Sequence, residues 1–248
     1  MHLEEFAEGN SFFHRLDPRV KFITVIPYIF VIAVMQGTKG PFSALMISLL
    51  MVVFSRISFK KLIGRLIVVN TFILILWIFI PFSYPGDTVF HIGFLKATLE
   101  GFLYVLSITL KANAIVLATI AILGTSEVFY LAHALVHLKM PDKLVHLFFF
   151  FYRYISVLHE EFTRLKKAMT IRYFRPKTDM HTYRTYAYLI GMLLVRSYER
   201  SQRIYKAMLC RGFNGMFPVT DHFHLHKYDI MFGIVMFTII FIYILILL

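Results

Sequence analysis

Five apolar runs, Val20 to Met35, Pro41 to Phe54, Leu66 to Phe82, Gly101 to Leu123 and Ile230 to Leu248, alternate along the chain with short polar stretches. A helix needs about 20 apolar residues to cross a bilayer. The pattern therefore predicts about five transmembrane helices, of which the first two are short and need tilt or partner helices. Gln36-Gly37-Thr38-Lys39-Gly40-Pro41 reads as a tight turn between those two. No alternation of barrel type is visible, so the solution inside hydrocarbon is helical, because helices satisfy their own backbone groups.

Between the fourth and fifth runs, Thr125 to Pro218 is too polar for membrane and too periodic for a loop. Leu158, Phe162, Leu165 and Met169 recur at steps of four and three while Arg164, Lys166 and Lys167 fall on other faces. Glu160 stands one turn before Arg164, positioned to pair with it. A second amphipathic helix carries Tyr186, Ile190, Leu193, Ser197, Ser201, Ile204 and Met208 on one stripe, and its small serines allow another helix to come close. The two helices end alike, Ala168-Met169-Thr170-Ile171-Arg172-Tyr173 and Ala207-Met208-Leu209-Cys210-Arg211-Gly212. Each arginine sits where a helix dipole favours a cation, and Gly212 suits a left-handed cap. The expected organisation is all-α: membrane helices over residues 1–124, a cytoplasmic module of long amphipathic helices over 125–226, and a last membrane helix over 227–248.

Charge sets the orientation. Arg15, Arg19 and Lys21 precede the first span, and Arg56, Lys60, Lys61 and Arg65 lie between the second and third, whereas Tyr84 to Lys96 is nearly free of positive charge. The positive-inside rule then places the N-terminus and the polar module in the cytoplasm and Leu248 outside, in a cell inner membrane. A net charge of +12 confined to loops between apolar spans fits anionic lipid and acidic protein partners, not nucleic acid. Glu4, Glu5 and Glu8 open the chain without a basic-then-apolar pattern, so no cleavable signal peptide is expected. The lone Cys210 permits neither an internal disulfide nor a thiolate pair for zinc.

Several residues invite chemistry. His133 and His137 lie one turn apart, His222, His224 and His226 alternate before the last span, and Met1-His2 opens the chain. Imidazoles bind cobalt, nickel and zinc, but without companion ligands these are read as no metal site. Lys111, in mid-span, has no acid between Gly101 and Leu123 to form a relay, so a structural contact to a neighbouring helix or to Asn113 is the better reading. Phe148 to Tyr152 reads as interfacial packing. His159-Glu160-Glu161 lacks the second histidine of a zinc protease helix, and no glycine-rich lysine loop for phosphate is present. The chain is expected to be no enzyme and to carry no cofactor. A scaffold whose basic helices meet lipid is the rival of another class.

Leu16-Asp17-Pro18-Arg19-Val20-Lys21, Met140-Pro141, Tyr152-Arg153-Tyr154-Ile155, Glu160-Glu161, Arg164-Leu165, Arg196-Ser197-Tyr198-Glu199-Arg200-Ser201 and Cys210-Arg211-Gly212-Phe213 together resemble the CbiQ/EcfT family of transmembrane coupling proteins, nearest its cobalt-importer branch. The resemblance implies two ATP-binding cassette ATPase subunits and a substrate-capture membrane protein as partners. It also implies two Ala-Arg-Gly-like motifs that dock into the ATPases. By position these fall on Ile171, Arg172 and Tyr173 and on Cys210, Arg211 and Gly212, with the small flanks of the first replaced. Cobalt uptake is expected, with nickel or a vitamin as the alternative.

Overall fold

A computed structural model describes residues 9, 11–92, 95–138, 140–215 and 225–247. Helices α1 (Phe12–Arg15), α2 (Pro18–Val34), α3 (Lys39–Ser55), α4 (Phe59–Ser83), α5 (Leu99–Ile122), α6 (Val128–His137), α7 (Asp142–Ile171), α8 (Met180–Cys210) and α9 (Lys227–Leu247) dominate the described residues. A short antiparallel hairpin, β1 (Thr88–Ile92) and β2 (Leu95–Thr98), joins α4 to α5. Strand pairing there satisfies backbone groups that an irregular loop would leave to solvent.

The chain divides into two compact units, Pro141–His222 and a remainder that holds α1 to α6 with α9. In the larger unit α4, α5 and α9 are long and apolar enough to cross a membrane. Helices α2 and α3 are 17 residues each, so each reaches about 25 Å at 1.5 Å per residue. Large apolar side chains face outward, Phe30 and Phe72 each 70% exposed. Such a surface suits lipid, as the apolar runs predicted. Inside, Val25, Tyr28, Ile32, Ala44, Ala114, Ala118, Ala121 and Met236 are buried in one cluster. The alanines of α5 let its neighbours approach closely.

Polar contacts within this unit set the helices' relative heights. Asp17 caps α2, accepting from the Arg19 backbone N–H at 2.8 Å, and Pro18 takes the first helical position, where its missing N–H costs nothing. That is the local meaning of Asp-Pro-Arg. The Asp17 backbone N–H donates to Asp229 Oδ1 at 2.8 Å, and Asp229 Oδ2 accepts from the His226 backbone N–H at 2.7 Å. Lys21, fully buried, donates to Thr125 Oγ1 at 3.2 Å and to Ser126 Oγ, with Asp229 and Asp17 as its opposing charges. The starts of α2 and α9 and the end of α5 therefore meet at one level. Near the opposite end Ser43 and Tyr243 hydroxyls are 3.1 Å apart, tying the start of α3 to the end of α9.

Lys111 donates a long bond of 3.4 Å to Ala33 O, in the last turn of α2. A cation at a helix C-terminus meets an orphan carbonyl and the favourable end of the dipole. The structural contact expected of Lys111 is thus to the α2 backbone; Asn113 instead exchanges reciprocal amide bonds of 3.1 Å with Asn70 of α4.

Candidate functional site

Helices α7 and α8 form the second unit and are joined by a short elbow. On α7 Leu158, Phe162, Leu165 and Met169 are half-buried and Arg164, Lys166 and Lys167 exposed, as the periodicity predicts. On α8 the covered stripe runs Thr182, Tyr186, Leu189, Leu193, Ser197, Arg200, Ile204 and Met208. Leu189 is buried and Ile190 exposed, and Arg200 is half-buried and Ser201 exposed, so the predicted stripe is corrected by one residue at both places. Steps of four and three can drift by a residue over eight turns, and only packing decides which of two adjacent apolar residues turns inward. Asp179 caps α8, accepting from Thr182 N–H at 2.8 Å, and the bonds to Thr182 hold its carboxyl below the usual range.

A cleft of about 460 Å³ lies between the helices, lined on one side by Phe150, Tyr154 and Leu158 and on the other by Ser197, Ser201 and Met208. Glu161 crosses it to Arg196 and also meets Arg164 at 3.6 Å. The expected Glu160–Arg164 pair is therefore replaced by Glu161 at i, i+3, because only Glu161 also faces the neighbouring helix. The hydrogen bond from Arg196, reinforced by the charges of Arg196, Arg164 and Arg200, holds the Glu161 carboxyl below its ordinary value. A depressed carboxyl stabilises the fold fully above its unfolded pKa and ceases to as pH falls through the folded one. Amide protection factors along α7 and α8, exchange rates divided into the intrinsic rate at each pH, are expected to hold from neutral pH down to the ordinary glutamate range and to fall below it; Glu161→Gln should remove that step.

The two predicted docking tips share one backbone motif. Arg172 closes α7, with Tyr173 N–H donating to Thr170 O at 3.0 Å and Phe174 N–H to Met169 O at 3.1 Å. Arg211 closes α8, with Gly212 N–H donating to Leu209 O at 3.0 Å and Phe213 N–H to Met208 O at 3.0 Å. These paired bonds are the Schellman arrangement, which needs a left-handed residue after the cap. Gly212 supplies it at φ +80° and Tyr173 at φ +64°. Both arginines are exposed at the mouths of these turns. Helix α8, 31 residues or about 46 Å long, runs between the two turns.

The flanks differ. Cys210 and Gly212 leave Arg211 on a slim tip, whereas Ile171 and Tyr173 stand out at 85% and 77% exposure. Arg175 donates to the Tyr173 hydroxyl at 3.0 Å and lies 4.8 Å from its ring centroid, and Phe174 packs edge-on against Tyr186 at 5.8 Å. A left-handed tyrosine costs about 1–2 kcal/mol relative to glycine. Tyr173→Gly is accordingly expected to slow amide exchange at Phe174 by about fivefold or more, and Gly212→Ala to speed it at Phe213 by a like factor.

Over residues 9–222 the chain matches the family model of CbiQ, described as cobalt transport protein. It belongs to the CbiQ family. Relatives are named energy-coupling factor transporter transmembrane protein EcfT. That of Bacillus subtilis (strain 168) is 28% identical, the alignment covering 87% of this chain and 85% of the relative. The protein of Streptococcus equi subsp. equi (strain 4047) is 25% identical over 86% and 83%. That of Thermosediminibacter oceani is 24% identical over 85% and 83%. This CbiQ-family chain is thus akin to membrane transporter components and not to enzymes.

Among the described residues no group of three metal-ligating side chains converges. His133 and His137 bring their rings to 5.0 Å, and His226 lies with Nδ1 3.9 Å from Asp229 Oδ2. His222 and His224, like Met1, His2 and Leu248, fall outside the described residues. Sequence reasoning missed Asp229. Its signal was present, as a single acid immediately before an uncharged run of 19 residues.

Proposed function

We propose that this chain is the coupling subunit of an energy-coupling factor importer, passing the motion of two cytoplasmic ATPases to a substrate-capture membrane protein, with cobalt as substrate. The observation that carries this is the pair of Schellman-capped arginine tips at the ends of α7 and α8. A guanidinium offers a rigid fork for a carboxylate in a partner's groove. One tip for each ATPase lets closure of the ATPase pair push α7 and α8 relative to one another.

In this reading residues 125–226 are the cytoplasmic coupling module. The levelling of the α2 and α9 starts with the α5 end supports it, since that side also carries Arg19, Arg56, Lys60 and Lys61. Cobalt follows the wording of the family model; the relatives' broader naming makes a nickel or vitamin importer the alternative.

Cells expressing the chain with its genomic neighbours should take up labelled cobalt faster than nickel or a vitamin, and its affinity purification should recover ATPase subunits. Recovery of the ATPases with uptake of a vitamin alone would change the substrate and keep the coupling role. Purification without any ATPase would favour a lipid-binding scaffold.

A further inference from the structure

Contacts between α2 and α5 keep one antiparallel register: Lys21 meets Thr125, Ala33 meets Lys111, and Ser107 Oγ donates to Gly37 O at 2.6 Å. Helix α5 begins at Leu99, eight residues beyond Ser107. Polar residues of the α2–α3 turn, Gln36 to Lys39, therefore lie about 12 Å below the far end of α5 at 1.5 Å per residue. Helix α4 follows α5 over that distance, with Trp77 Nε1 donating to Thr109 Oγ1 at 3.0 Å and Thr98 bonded to Tyr84 O at 2.9 Å.

The outer surface of α4 and α5 stays apolar to within a turn of its end, where Glu100 is exposed, with Ile78, Phe79, Leu99, Leu103 and Tyr104 also exposed. Hydrocarbon beside α4 thus reaches a height at which α2 and α3 have already turned. Beside the turn the chemistry is different. Gln36 and Lys39 are exposed, Lys111 is partly so, and no acid occurs from Pro18 to Gly86 to neutralise them. On α5 the nearest acid is Glu100, about two turns above Ser107, and on α9 Asp229 lies at the other end of the bundle.

Resting on the reading of these helices as membrane spans, we infer that the α2–α3 turn floors a recess in the outer leaflet, filled by hydrated lipid phosphate headgroups drawn down to Lys39 and Lys111. Exposed backbone and ammonium groups are costly in hydrocarbon. Ser107 and Lys111 satisfy carbonyls at the inner side of the turn, and headgroup phosphates supply the missing anions on its outer side. The bilayer is thinner beside α2 and α3 than beside α4 and α5.

Trp77 is the one tryptophan and lies within about 3 Å of the turn's height along α5. The full chain in phosphatidylcholine vesicles, carrying either acyl-brominated or headgroup-spin-labelled lipid, should lose Trp77 fluorescence mainly to the acyl label. A tryptophan at the turn, from Thr38→Trp with Trp77→Phe, should lose it mainly to the headgroup label. If that variant does not fold, Thr38→Cys with Cys210→Ser should react with a membrane-impermeant maleimide. Acyl quenching at both positions, no quenching and no labelling at 38, or headgroup quenching at both would each overturn the inference. The last outcome would mean that α4 and α5 simply project from the membrane.

Discussion

Arg172→Glu combined with Arg211→Glu is expected to abolish copurification of the ATPases and substrate uptake while the chain still inserts in the membrane. Each reversal replaces a charge-assisted contact, worth about 1.5–3 kcal/mol, with repulsion. Loss at both tips should lower affinity by more than about a hundredfold. The single variants separate the tips. Arg211 projects from a slim turn and depends on its guanidinium alone, whereas Arg172 is flanked by the exposed Ile171 and Tyr173. Arg211→Glu should therefore weaken capture more than Arg172→Glu. Capture that survives the double reversal, measured on detergent-solubilised complexes, would remove the arginines from the coupling role.

Lys21→Met should be the most destabilising single change in the membrane unit. It strips the bonds to Thr125 and Ser126 and removes the buried positive charge that opposes Asp229 and Asp17, leaving Asp17 with Arg19 Nε at 3.9 Å and Asp229 with His226 Nδ1 at 3.9 Å. Breaking one side of a buried charge set costs about 3–5 kcal/mol. The consequence is a large fall in thermal stability in detergent and in yield of inserted protein. Adding Asp229→Asn, which removes one of the two carboxylates, should recover part of the loss. A melting temperature unchanged by Lys21→Met would show that the cluster does not hold α2, α5 and α9 together.

Much of this architecture was readable before any coordinates. The apolar runs located α2 to α5 and α9, because lipid demands long stretches without charge whatever the tertiary contacts are. Gly212 announced its left-handed cap, since glycine adopts that backbone without steric cost. Tyr173 gave no such notice: nothing in its side chain favours a positive φ, and the turn became visible only through its hydrogen bonds. Ile190 and Leu189 are equally apolar neighbours, so periodicity had no means of choosing between them.

Sequence by itself therefore determined the helical class and the apolar spans, which follow from local composition and spacing, while its motifs carried the family resemblance that pointed to the two arginines. Tertiary structure alone decided that Asp17, Lys21 and Asp229 form one buried cluster across as many as 212 positions of chain, that Glu161 rather than Glu160 pairs with Arg164, and that the α2–α3 turn stops short of α5. Those outcomes depend on helix register and facing, which long-range packing sets and no short window of sequence contains.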